Sequence, residues 1–161
     1  MQLILVRHGI AEDAGPNTDH QDAPRALTPD GRARIEASAR GMRVLGIRVD
    51  ALLTSPLTRA RQTADIIGDA LLAAPEDDGR LAPGMSLEDL HQILLEHPDA
   101  QRVMVCGHQP DLSAVVDDLT GGAVEFRKGS VAVIDVQDIH AGGGVLVALY
   151  PPVTLRRLGG E

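Results

Sequence analysis

Three short segments hold residues that could do chemistry together. They are Arg7-His8-Gly9, the run Ser55-Pro56-Leu57-Thr58-Arg59-Ala60-Arg61-Gln62-Thr63-Ala64, and Gly107-His108-Gln109-Pro110. An imidazole titrates near neutral pH and serves as nucleophile, acid or base. A guanidinium presents a planar fork that matches phosphate or carboxylate. Two histidines and two or more arginines in one pocket would therefore handle a phosphate or another oxyanion. Taken singly, each residue is ordinary. A lone histidine is more often a satisfied surface or core residue, and a helical arginine is usually solvated.

The elements that must position these residues follow from pattern. Gln2 to Val6, Ala51 to Thr54 and Arg102 to Cys106 are short aliphatic runs, and each ends at one of the three motifs. Val131 to Val136 and Val145 to Leu149 are two more. Continuous apolar runs of this length suit strands buried on both faces, as in a parallel sheet with helical cover. Helical patterns lie between them. Thr28 caps a helix with Pro29 at its first position, running to about Leu45. Ser55 and Pro56 repeat that start ahead of the stripe Leu57, Ala60, Ala64, Ile67, Leu71. Ser86 to about Leu95 and Pro110 to about Leu119 are two further helices. Gly142 to Gly144 reads as a turn. Glu12 to Ala26 reads as a long mobile loop, and the tail from Pro151 to Glu161 as irregular.

The expected fold is one α/β domain over residues 1–161, a three-layer α/β/α sandwich with a mostly parallel central sheet. In such sheets ligands bind beyond the carboxyl ends of the strands. If the first three strands are parallel neighbours, His8, His108 and the arginines meet there. Helix N-termini would add amide dipoles that favour an anion.

Composition removes other classes. The formal net charge of -8 argues against bulk nucleic-acid binding. Phe126, Tyr150 and no tryptophan leave no aromatic platform for bases. No apolar run approaches the ~20 residues of a membrane helix. The start MQLILVRHG does not read as a signal peptide, so a cytoplasmic location is the expectation. The single cysteine, Cys106, excludes an internal disulfide and a cysteine-rich zinc site. It ends a buried run and reads as packing rather than as a nucleophile. His20, His91, His97 and His140 read as ordinary surface residues. His91 and His97 lack the i, i+4 spacing of a helical metal pair. Lys128 is the only lysine among the 15 basic residues.

The three motifs, in this order, resemble the histidine phosphatase superfamily, also called phosphoglycerate-mutase-like. Arg7-His8-Gly9 matches its RHG signature, the segment around Arg59 its second arginine, and Gly107-His108 its second histidine. The length and the segments Arg25-Ala26-Leu27-Thr28-Pro29-Asp30-Gly31 and Leu81-Ala82-Pro83-Gly84 resemble the SixA branch of phosphohistidine phosphatases. The resemblance implies a covalent mechanism without metal or other cofactor. His8 would be the nucleophile, with Arg7, Arg59 and His108 holding the phosphoryl oxygens. Arg59 and Arg61 lie ~200° apart on a helix, so only one can face the site. The family pattern selects Arg59. Arg25 is a candidate pocket member that could instead anchor the loop, and Gly9 and Gly107 would permit close backbone approach.

One departure bears on substrate. Other branches place a glutamate some 25 residues beyond the second arginine, as acid for the leaving oxygen. Here that region reads Gly79-Arg80-Leu81-Ala82-Pro83-Gly84. Glu88 and Asp89 lie slightly further on, and Glu12 or Asp13 could supply a proton from the loop. An alkoxide leaving group needs that proton more than a departing imidazole does. The expected partner is therefore a phosphohistidine-bearing protein, such as a phosphotransfer domain of a signalling relay. The alternatives are a small phosphorylated substrate and a non-catalytic phosphohistidine-binding module.

Overall fold

The computed structural model describes residues 1–13 and 24–161. Most of the expected mobile loop, His20 included, lies outside the described residues. The elements run β1 (Gln2–Arg7), α1 (Pro29–Val44), β2 (Ala51–Thr54), α2 (Thr58–Leu71), β3 (Pro75–Asp77), a 3-10 turn (Gly79–Leu81) and α3 (Leu87–Leu95). They continue as β4 (Arg102–Gly107), α4 (Asp111–Thr120), β5 (Val131–Val136), β6 (Gly144–Tyr150) and α5 (Pro152–Leu158).

The strands form one sheet in the order β3-β2-β4-β1-β5-β6. β1 pairs with β4, and β2 with β4 and β3, all in parallel. β5 and β6 are antiparallel additions beside β1. The three motif-bearing strands are thus parallel neighbours, with β4 in the middle.

Strand alternation divides the aliphatic residues between two cores. Leu3, Leu5, Leu53, Val103, Val105, Ala132 and Ile134 pack with α3, α4 and Phe126. Ile4, Val6, Leu52, Met104, Cys106, Val131 and Val133 pack with α1, α2 and α5. Burial on both faces explains why these runs are continuously apolar, and it confirms the three α/β/α layers. Cys106 is fully buried. Burial pushes its thiol up to about 12, which leaves it protonated and suited to packing.

Local chemistry sets most helix ends. Thr28 Oγ1 accepts from Gly31 N at 2.9 Å, with Pro29 next, as expected for the start of α1. Ser86 and Asp89 form a reciprocal capping box at α3. The second helix differs from expectation. It begins at Thr58 with Leu57 as its cap, and Ser55 is left outside it.

Two other elements correct the sequence reading. The tail is helical rather than irregular. α5 docks so closely on α1 that a Cβ on Gly41 would lie 2.0 Å from the Leu155 carbonyl oxygen. Arg40 Nε also donates to Gly159 O at 2.9 Å. β3 is a three-residue edge strand with no apolar pattern of its own. Arg61 of α2 pairs with Asp77 of β3 at 3.2 Å and with Asp65 at 2.9 Å, the salt-bridging role expected for it.

Candidate active site

The carboxyl ends of β1, β4 and β2 bring the three motifs together. His8 N donates to Gly107 O and Ser55 N to Cys106 O, so the ladder continues one residue past each strand. Arg59 lies in the first turn of α2, and His108 sits between β4 and α4. His8 is 6 % exposed, Arg59 3 % and His108 3 %. The two imidazole rings lie 5.2 Å apart at a tilt of 54°.

Hydrogen bonds assign the proton on His8. Its Nδ1 lies 2.7 Å from Gly9 O, which can only accept, so Nδ1 carries the hydrogen. In the neutral ring Nε2 then holds a lone pair, and Arg59 Nε donates to it at 3.2 Å. The neutral form is strongly favoured. Burial, then the charges of His108, Arg59 and Arg7, outweigh the Gly9 bond and lower the His8 pKa to about 3.

The same reasoning orients His108. Its Nδ1 lies 3.5 Å from Arg59 Nη2, a group that can only donate. Its Nε2 lies 2.8 Å from Ser55 Oγ. A neutral His108 therefore gives its Nε2 hydrogen to Ser55 and turns Nδ1 toward the centre of the site. Ser55 Oγ also accepts from Leu57 N at 3.3 Å. The Ser-Pro pair looks like a helix cap in sequence, and nothing in the linear order reveals that its hydroxyl orients His108.

Thr63 is a second residue that sequence reasoning missed. Its hydroxyl accepts from Gly9 N at 3.0 Å and donates to Arg59 O at 2.7 Å, tying the His8 turn to α2. Only its position one turn after Arg59 could have pointed to it. Gly9 is needed where it stands, because a Cβ would lie 2.7 Å from Ile35 Cγ1. Gly107 is not: a Cβ there would meet Leu112 at 3.4 Å, an ordinary contact.

Arg7 enters the site from β1. Its Nη1 donates to Phe126 O at 2.7 Å, while its Nε is buried with no hydrogen-bond partner among the described residues. A buried donor of this kind is costly unless something fills it. Arg25 donates to the Glu12 carbonyl at 3.2 Å, an anchoring contact across the base of the loop.

Two of the candidate acids, Asp89 and Glu88, are engaged elsewhere. Asp89 accepts from Ser86 N at 2.9 Å and Ser86 Oγ at 2.6 Å. Those bonds hold its pKa below the usual carboxylate range. Glu88 accepts from Gln92 at 2.7 Å. Among the described residues, no carboxylate hydrogen-bonds to His8 or Arg7. Nor does any group of three or more His, Cys, Asp or Glu side chains come together as metal ligands there.

Comparison with known proteins agrees with this geometry. A family model described as histidine phosphatase superfamily (branch 1) matches residues 3–83. An uncharacterized protein of Picosynechococcus sp. is 38 % identical over 139 residues, covering 81 % of this chain and 82 % of that one. Phosphohistidine phosphatase SixA of Escherichia coli is 26 % identical over 161 residues, covering 97 % of each. A solved structure of the protein histidine phosphatase SixA complexed with tungstate superposes with a TM-score of 0.83 at 26 % identity. It covers 96 % of this chain and 99 % of its own. With the family model spanning half the chain and the SixA fold spanning nearly all of it, this protein belongs to the histidine phosphatase superfamily.

Proposed function

We propose that this phosphatase removes the phosphoryl group from phosphohistidine in a partner protein, through a phosphohistidine intermediate on His8. The observation that carries the reading is the His8 ring itself. Its Nδ1–H is held by Gly9 O and its neutral Nε2 faces Arg59. A nucleophilic imidazole must present an unprotonated nitrogen.

In the first step His8 Nε2 bonds to phosphorus and the P–N bond of the substrate breaks; the departing ring, already protonated at its other nitrogen in the substrate, takes the electron pair and leaves as neutral imidazole. Water then attacks the phosphoenzyme, releasing inorganic phosphate and restoring neutral His8. Charge on the three peripheral oxygens is met by Arg59, by the open Nε of Arg7, and by His108 once its Nδ1 carries a proton. Displacing the Arg59–His8 bond frees the lone pair as the phosphoryl group arrives. These cations supply the positive charge without a metal.

Leaving-group chemistry supports phosphohistidine over an ester. With Asp89 held in a cap and Glu88 on Gln92, neither is poised to protonate an alkoxide. The SixA relatives point the same way. A cytoplasmic location goes with such a partner.

The test compares turnover of a phosphohistidine-bearing protein with that of p-nitrophenyl phosphate, alongside trapping of the phosphoenzyme. Faster phosphohistidine turnover and an acid-labile, alkali-stable adduct absent from His8→Asn are expected. Ester turnover equal to or better than phosphohistidine turnover refutes the substrate. An adduct that persists in His8→Asn refutes the nucleophile.

A further inference from the structure

We infer that a basic, apolar-floored cavity beside His8 docks an acidic segment of the phosphorylated partner, a reading that rests on the function proposed above. The cavity has a volume of about 410 Å³ and reaches Arg7 and Gly9, the residues on either side of His8. Topology places it on the same edge of the sheet as the catalytic centre. Val6 pairs with Val131, so the start of β5 meets the end of β1. The end of β6 lies there too, since Tyr150 pairs with Val131. Gly129 N donates to Arg7 O at 3.0 Å, which fixes the turn before β5 against the RHG segment.

The lining has two parts. Ile10, Ile35 and Pro152 form an apolar floor, and Arg34, Arg127, Lys128 and Arg156 stand around it. Three of these cations have carboxylate neighbours: Arg34 with Asp30 at 2.8 Å, Arg127 with Glu125 at 3.3 Å, and Arg156 with Glu161. The Arg34 and Arg127 pairs are exposed on both sides, 44 to 76 %, and surface pairs of this kind hold too weakly to keep out another anion. Lys128, the one lysine, has no ion pair among the described residues. This cationic surplus stands on a chain of net charge -8.

The wall also holds an unmet polar group. Ser38 is 1 % exposed and lines the cavity, and its Oγ has no hydrogen-bond partner among the described residues. A buried hydroxyl without a partner is a standing cost that a bound backbone or side-chain group relieves.

An apolar floor with cations around it selects a particular occupant. A lone phosphate or carboxylate would leave Ile10, Ile35 and Pro152 uncovered. An apolar side chain flanked by Asp or Glu satisfies both parts. A protein that offers phosphohistidine to His8 has its neighbouring residues within reach of a cavity that touches Gly9. The local positive field would also steer an acidic partner past an otherwise repulsive exterior.

The test uses the double variant Arg127→Glu/Lys128→Glu, two exposed side chains outside the catalytic set. KM for a phosphohistidine protein should rise tenfold or more with kcat unchanged, and its salt dependence should flatten. Turnover of free phosphohistidine should stay the same. Equal loss on both substrates, or no change on the protein, overturns the inference.

Direct binding separates this inference from the proposed activity. Fluorescence anisotropy should show a labelled peptide of alternating Glu and Leu binding the parent protein, and weakening tenfold or more in the variant. A Lys-Leu peptide should not bind. Binding with no phosphohistidine turnover sinks the activity and leaves the acidic-segment site standing. Turnover with no binding sinks the site. Displacement of the peptide by millimolar orthophosphate would make this a simple anion pocket, and a dimer that dissociates in the variant would make a second copy the occupant. Either result overturns the assignment.

Discussion

Replacing His8 by Asn should make the protein less sensitive to acid. In the unfolded chain this imidazole titrates near 6.5. In the folded protein its pKa is about 3. The folded value is the lower one, so between those limits the unfolded state binds more protons. Stability is then fully present above pH 6.5 and is lost as pH falls toward 3. From pH 8 to pH 5 the loss is RT ln(1 + 10^1.5), about 2 kcal/mol. At pH 5 the figure is set almost wholly by the unfolded value, so any folded pKa below about 4 gives the same answer. Asn removes the titration yet keeps an amide N–H able to face Gly9 O. Urea unfolding followed by far-UV circular dichroism suits a chain with no tryptophan and one tyrosine. The stability difference between parent and variant should shift by about 2 kcal/mol across that range, in favour of the variant at pH 5. Other titrating groups are common to both proteins and cancel in the difference. A difference that stays constant with pH would refute the claim that His8 is buried and neutral.

Three further outcomes test the surroundings of the site. Arg59→Ala removes the guanidinium that faces both histidines and should lower kcat/KM on the phosphorylated substrate by about 100- to 1,000-fold in steady-state assays. Ser55→Ala removes the hydroxyl bonded to His108 Nε2 and should lower kcat by about 10- to 100-fold with little change in KM. An unchanged kcat would show that Ser55 does not position the ring. Gly41→Ala drives a methyl group into the Leu155 carbonyl. It should cost about 1–3 kcal/mol in chemical denaturation by prising α5 from α1.

The candidate site was legible in the sequence because of where parallel strands end. Arg7, His8 and His108 lie just past the ends of short, doubly buried apolar runs, and such runs announce themselves. Arg59 needed its family pattern as well, since spacing alone left it level with Arg61. What escaped lacks a periodic signal. β3 is the polar stretch Pro75–Asp77, held by pairing with β2 and by Arg61, neither of which local composition encodes. α5 has a single buried side chain, Leu155, and is held by backbone contacts at glycines of α1 and of its own end. Ser55 and Thr63 were hidden for another reason. Ser55-Pro56 carries the same local signature as Thr28-Pro29, yet its hydroxyl is used by a ring 53 residues away.

The net charge of -8 is ill matched to an anionic substrate only until the two scales are separated. Total charge acts through solvent and is screened within about 8–10 Å at physiological ionic strength. Arg59 is 3 % exposed and Arg7 is partly buried, so both act where screening is weak. Their charges do two things at once in the proposed reaction. Together with burial they keep the proton off His8, so the nucleophile is ready without a general base. They are also the donors that receive the phosphoryl oxygens. An incoming dianion offsets the positive charges that disfavour protonation of His8. The same field therefore holds the ring neutral before the phosphate arrives and turns to the phosphate once it is there. His8 keeps its Nδ1 hydrogen on Gly9 O throughout, so the proton that the reaction must move belongs to the leaving imidazole and to water. That suits the proposed P–N substrate, which brings the proton on its own imidazole to a site whose candidate acids Asp89 and Glu88 are bound elsewhere.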